Sequence, residues 1–250
     1  MLGEITIHPQ KFLIIFIRTF GFLYISPVFY SFKNPYIIKV ILSLAISIAI
    51  YSIVNINFSN DINYLRFLSE LLIGMSMGFI VSMGFEVFKY FGSLVDFQSG
   101  LMMASIFDPA TGEQNTIFSK LINFLGLFLF ISFNGHLFII KALLESFNRF
   151  GDFHFLSYKS AWVILYYFSQ FLALSIKISL PVIVILILIE ICIGIFSKMM
   201  PAVNFLIIGQ PIRFIAGGFF LFLTIYSFNN ISQMVFSNTF ELLSSFIINL

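Results

Sequence analysis

Residues 97–109 read Phe97-Gln98-Ser99-Gly100-Leu101-Met102-Met103-Ala104-Ser105-Ile106-Phe107-Asp108-Pro109, and they lie between two long apolar runs. Small, soft and polar side chains stand where a membrane span would carry Leu and Ile. The segment is too polar to face lipid and too apolar to float in water. Irregular backbone at membrane depth is tolerated where protein buries it or where it lines a water-filled path. A re-entrant loop or plug is therefore expected, and with it a pore, a transporter or a secretion gate.

Composition supports a membrane setting. Of 250 residues, 60% are hydrophobic and 10% charged, and the mean hydropathy is +1.03; a soluble domain has roughly 25% charged residues. The length suits one compact unit of several helices, so a single domain over 1–250 is expected. A formal charge of +2, with Lys and Arg scattered singly, argues against nucleic acid as a partner. The one cysteine, Cys192, excludes an internal disulfide and reads as a small core residue. The first apolar run, 12–30, is interrupted by Arg18 and lacks a small-x-small cleavage pattern, so it reads as a first helix and not a signal peptide. The abundance of Phe (36 residues) fits an AT-rich coding sequence and carries no functional reading.

A span needs about 20 apolar residues. On that measure helices are expected near 11–31, 36–54, 62–92 and 116–148, with a loop over 93–115. A fifth follows near 159–178, with a kink or restart at Pro181 and a sixth to about 199. A broken region spans Pro201 to Pro211, and a last long helix runs near 212–247, with breaks at Gly217-Gly218 and Asn229-Asn230. Lys33 and Lys39 flank the first connector and orient it toward the cytoplasm, with the amino terminus outside.

Several polar positions stand out. Glu70, Gly74 and Gly78 share one helical face by their spacing of four. The glycines suit close helix packing. Glu70 reads either as a paired intramembrane carboxylate or as a surface partner of Arg66 at i−4. Glu86, Lys89, Asp96 and Asp108 surround the plug, as a hydrated lining or as local ion pairs; Asp108-Pro109 also reads as a turn. Met102 and Met103 could seal around changing shapes or fill a core. Gly135 breaks an apolar half-helix and His136 follows it, either proton-responsive or a structural donor. Glu190, Lys177 and Arg213 are isolated charges in apolar runs, each needing a partner or water. No His-Glu-x-x-His, Gly-x-Ser-x-Gly or Walker-type motif occurs, and three histidines and one cysteine make no zinc set; no enzyme, cofactor or metal is expected.

At these residues the chain resembles the FliR family of flagellar export-gate proteins, whose injectisome counterpart is the SctT family. The ordered match includes 70–79, Gly92, Phe97-Gln98, Gly100-Leu101, Ala104 and Phe107-Asp108-Pro109. It continues through Leu129-Phe130, Phe133 to Leu137, Ser146-Phe147 and Leu180-Pro181-Val182, and closes with Gly194, Pro201, Asn204, Gly209 and Pro211. Departures occur at Ser93, where the family tends to have Glu, at Asp96, where it tends to have Gly, and at Ser99, where it tends to have Met.

The resemblance implies an all-α membrane protein. Its kinked helical hairpins join FliP and FliQ homologues in a helical multi-subunit gate in the bacterial inner membrane, at the flagellar basal body. It implies a plug loop at about 97–116, FlhB and FlhA homologues as further partners, lipid contact, and unfolded flagellar proteins as cargo. Plug or gate roles then fall to Phe97, Gln98, Gly100, Met102, Met103, Phe107, Asp108 and Pro109. Helix packing falls to Gly74 and Gly78, and polar or proton-linked roles to Glu70, His136 and Glu190. The alternatives are an injectisome gate subunit and a stand-alone polytopic transporter; the latter should show inverted repeats, and none is evident.

Overall fold

The computed structural model describes residues 9–27, 36–54, 64–102, 116–149, 158–200 and 205–249. Among these the protein is all α: α1 (Pro9–Ile25), α2 (Tyr36–Ile53), α3 (Tyr64–Gln98), α4 (Ile117–Ser132), α5 (Gly135–Arg149), α6 (Tyr158–Met199) and α7 (Phe205–Asn249). Helices α2, α3, α6 and α7 are long and apolar enough to cross a membrane. The pair α4–α5, bent by 67°, would make a fifth span.

The boundaries differ from the sequence expectation in four places. Helix α3 does not stop at 92 but runs to Gln98, because its final turn is held by polar contacts from segments distant in sequence, described below. Pro181 neither restarts nor ends a helix, and α6 is continuous through it. Likewise α7 runs unbroken through Pro211, Gly217-Gly218 and Asn229-Asn230. Proline removes one backbone donor, which a long helix in an apolar setting tolerates when neighbouring groups satisfy the freed carbonyl. The break near Gly135 falls one residue earlier, at Asn134, whose φ of 57° is left-handed. Its carbonyl then accepts from the amides of Leu137 and Phe138 and starts α5. Asn is among the few non-glycine residues that adopt this conformation readily.

The chain forms two compact units. The first comprises 1–83, 134–168 and 237–250; the second comprises 84–133 and 169–236. In the first unit α1 and α2 make a hairpin. The Lys11 ammonium donates to the Val54 carbonyl at the end of α2 (2.5 Å), where a cation meets unpaired carbonyls. Between the two helices the Thr19 and Ser47 hydroxyls lie 2.6 Å apart.

The second unit is organised around aromatic rings. Phe236 meets Phe85, Phe88, Phe130 and Phe133 with centroids 5.3–6.4 Å apart, in tilted and edge arrangements that such rings prefer. Gly126 makes room for Phe88: a Cβ there would stand 2.8 Å from the ring. Part of the phenylalanine excess therefore has a packing role.

Large apolar side chains also remain exposed along α6 and α7, among them Trp162, Leu188, Ile195, Ile215, Phe222 and Tyr226. A chain in water would not leave so many uncovered.

Candidate functional site: the end of α3 and its polar anchors

Helix α3 ends in a two-bond cap. The amide of Gly100 donates to the Phe97 carbonyl (3.1 Å), and that of Leu101 donates to the Asp96 carbonyl (3.0 Å). Gly100 has a φ of +78°, the left-handed residue that such a cap needs. A side chain there would also run into the Gln210 amide on α7.

One carboxylate joins the two sides of the intervening segment. Asp96, fully buried, accepts from the Ser119 amide (2.8 Å), the Phe118 amide (3.2 Å) and the Thr116 hydroxyl. Thr116 occupies the position just before α4 but makes no cap bond from its own side chain to the helix. Asp96 supplies that cap from α3, satisfying orphan amides and placing negative charge at a helix amino terminus. The approach is close because Gly92 has no side chain: a Cβ there would collide with the Ser119 backbone. The Ser119 hydroxyl in turn donates to the Lys89 carbonyl (3.2 Å).

A second polar link lies nearby. The Gln98 amide donates to Glu190 of α6 (3.0 Å), and Glu190 accepts from Arg213 of α7 (2.9 Å). Two charges that looked isolated in the sequence thus neutralise each other at the tip of α3. Lys177 is exposed. One residue beyond Arg213 along α7, Phe214 stacks on Phe118 with centroids 5.6 Å apart, and a Cβ at Gly217 would lie 3.4 Å from Ser99.

The other polar cluster is in the first unit. Arg18 donates through Nε to Glu70 (2.6 Å) and through Nη1 to Ser146 (3.1 Å), with its guanidinium 4.2 Å over the Phe147 ring. Glu70 is therefore a buried, paired carboxylate. Gly74 and Gly78 face α1: a Cβ at Gly74 would collide with the Arg18 carbonyl, and one at Gly78 would stand 2.6 Å from the Phe22 carbonyl.

Of the positions singled out by sequence, Phe97 is exposed at the helix end and Met102 is exposed just beyond the cap. Met103, Phe107, Asp108 and Pro109 lie outside the described residues. His136 is exposed in the first turn of α5, and Glu86 and Lys89 form an exposed pair one turn apart (3.2 Å). Sequence reasoning missed Arg18 as the partner of Glu70. It placed Asp96 near the plug but not in its capping role; Thr116 ahead of an apolar run was the available signal.

Residues 10–239 match the family described as bacterial export proteins, family 1. The chain belongs to this family. Among curated members it is 30% identical to the flagellar biosynthetic protein FliR of Aquifex aeolicus, over 85% of this chain and 84% of that protein. It is 26% identical to FliR of Bacillus subtilis over 92% of each. It is also 26% identical to the surface presentation of antigens protein SpaR of Shigella flexneri, over 65% of this chain and 64% of that protein. As a bacterial export protein of this family, with four to five membrane-length apolar helices, the chain is a membrane-embedded component of an export apparatus.

Proposed function

We propose that this chain is the FliR-type subunit of a flagellar type III export gate, forming with FliP and FliQ homologues the channel for unfolded flagellar proteins across the bacterial inner membrane. The observation that carries this reading is the family match over residues 10–239, together with flagellar relatives that cover 92% of the chain or more. Its role is structural, with no catalytic step and no cofactor. The exposed apolar faces of α6 and α7 suit sister subunits, with lipid covering what remains. FlhB and FlhA homologues are further partners in this reading. The whole chain acts as one export-gate domain, a reading supported by α3, α6 and α7, each of which contributes residues to both compact units.

Within that domain, 97–116 serves as the plug. The support is its anchorage: an α3 end closed by Gly100, a buried carboxylate shared with the start of α4, and Gln98 linked to α6 and α7. Gly74 and Gly78 serve as packing positions, given the close approach of α1. The match to SpaR favours an injectisome gate as the second reading, but it covers less of the chain than the flagellar matches do.

The test is co-expression with FliP and FliQ homologues in a motile host lacking its own FliR. Co-purification of the three chains with restored swimming is expected. A monodisperse, protease-resistant monomer in mild detergent that fails to recruit either partner would instead support a stand-alone transporter.

A further inference from the structure

Two polar links hold the tip of α3, and they differ in kind. The Asp96 carboxylate is fully buried and accepts three hydrogen bonds. Water cannot compete for it, so it acts as a fixed joint. The Gln98–Glu190–Arg213 link is of another sort. The Glu190 side chain is 52% exposed and that of Arg213 17%. Arg213 reaches Glu190 through Nη1 alone, at 2.9 Å, and its buried Nε has no hydrogen-bond partner among the described residues. A single-point, half-hydrated ion pair is weak and exchanges readily with water. A bidentate, dry pair would not.

We propose that Glu190 and Arg213 are positioning residues that form a releasable latch. Their ion pair orients Glu190 to hold Gln98, and with it the 97–102 stem, docked in the closed gate, and the Gln98–Glu190 contact opens while the Asp96 joint stays made. This rests on reading 97–116 as the plug. Gln98 lies on α3, Glu190 on α6 and Arg213 on α7, so a motion of the α3 tip away from α6 breaks the Gln98–Glu190 hydrogen bond, and the ion pair is what orients Glu190 to accept it. Gly100 adds to the fit: it brings the backbone of the stem against Gln210, three residues before Arg213.

The chemistry of Gln98 makes the test sharp. Its amide is both donor and acceptor, so it can follow a reversed charge pair by presenting its oxygen instead of its nitrogen. The experiment measures potassium leak per complex from liposomes holding the complex with FliP and FliQ homologues, for the wild type, Glu190→Gln, Arg213→Gln, the double variant Glu190→Arg/Arg213→Glu, and a deletion of 99–106.

Each single variant is expected to leak about two- to fivefold more than wild type at unchanged complex yield, the range set by a weak ion pair biasing a two-state equilibrium. The charge-reversed double should return to within about twofold of wild type. Three outcomes would overturn the latch. The singles could leak as wild type while the deletion leaks, which leaves the plug reading standing. The reversed double could leak as much as the singles. Yield could fall in the singles with leak per complex unchanged, which would make the pair an ordinary assembly contact. If the deletion itself does not leak, the plug reading fails, and the latch with it.

Discussion

Arg18 and Glu70, 52 positions apart in the chain, meet as an ion pair whose side chains are 0% and 7% exposed. The same guanidinium reaches Ser146 and lies over Phe147, so one cation ties α1, α3 and α5 together. An isolated charge in this setting would be costly, and the pair with its added hydrogen bond offsets that cost.

Removing one partner should therefore hurt more than removing both. Glu70→Ala strands a buried cation, and about 3–5 kcal/mol of stability should be lost. Glu70→Leu combined with Arg18→Met should recover much of it. The measurement is yield of the complex with FliP and FliQ homologues after detergent extraction; equal yields for the single and double variants would show that the pair contributes little.

Gly74 and Gly78 should be graded in sensitivity. Alanine at Gly74 drives a methyl group into the Arg18 backbone, which also carries the buried pair, while alanine at Gly78 meets the Phe22 carbonyl at 2.6 Å. Overpacking costs roughly 1–3 kcal/mol, so Gly74→Ala should reduce complex yield and swimming together, and Gly78→Ala somewhat less. Leucine at Gly78 should lose both. Normal yield with a changed ion leak for Gly78→Leu would place this face on the conduction path.

Asp96 should matter for the start of α4. Asp96→Ala leaves the amides of Phe118 and Ser119 without a partner in a dry site, a loss of about 1–2 kcal/mol for a helix cap. Thr116→Val removes only one of three donors to the carboxylate and should be milder. Amide hydrogen exchange in the complex would check this: faster exchange confined to the first turn of α4 is expected in Asp96→Ala. Unchanged protection there would show that water replaces the carboxylate without loss.

The chain should not behave well alone. Exposed Trp162, Ile215, Phe222 and Tyr226 need a covering surface. Expressed without FliP and FliQ homologues it should aggregate or be degraded, and co-expression should rescue it. Size-exclusion chromatography in mild detergent distinguishes the two; a stable lone monomer would sink the idea that sister subunits cover these faces.

The sequence by itself determined the helical, membrane-embedded class, because apolar runs of this length have few other stable forms. It also picked out the glycines of α3, the end of α3 as an exceptional segment, and the family, through an ordered set of small and polar residues. Composition and spacing are local properties, and these features are local.

Only the tertiary structure decided which charges meet. Glu70 could have paired with Arg66 nearby in sequence, yet it holds Arg18 of another helix, because Gly74 and Gly21 let α1 approach closely enough to bring that guanidinium in. Glu190 and Arg213 were solitary until α6 and α7 were set side by side. The end of α3 also moved from 92 to 98 for a reason no local pattern encodes: Asp96 is held by amides more than twenty residues further along the chain. Pro181, read locally as a kink or restart, and Pro211, read as the end of a broken region, sit inside continuous helices, because an apolar setting favours keeping every other backbone hydrogen bond. Pairing across distance depends on which backbones can come close, and that is a property of packing.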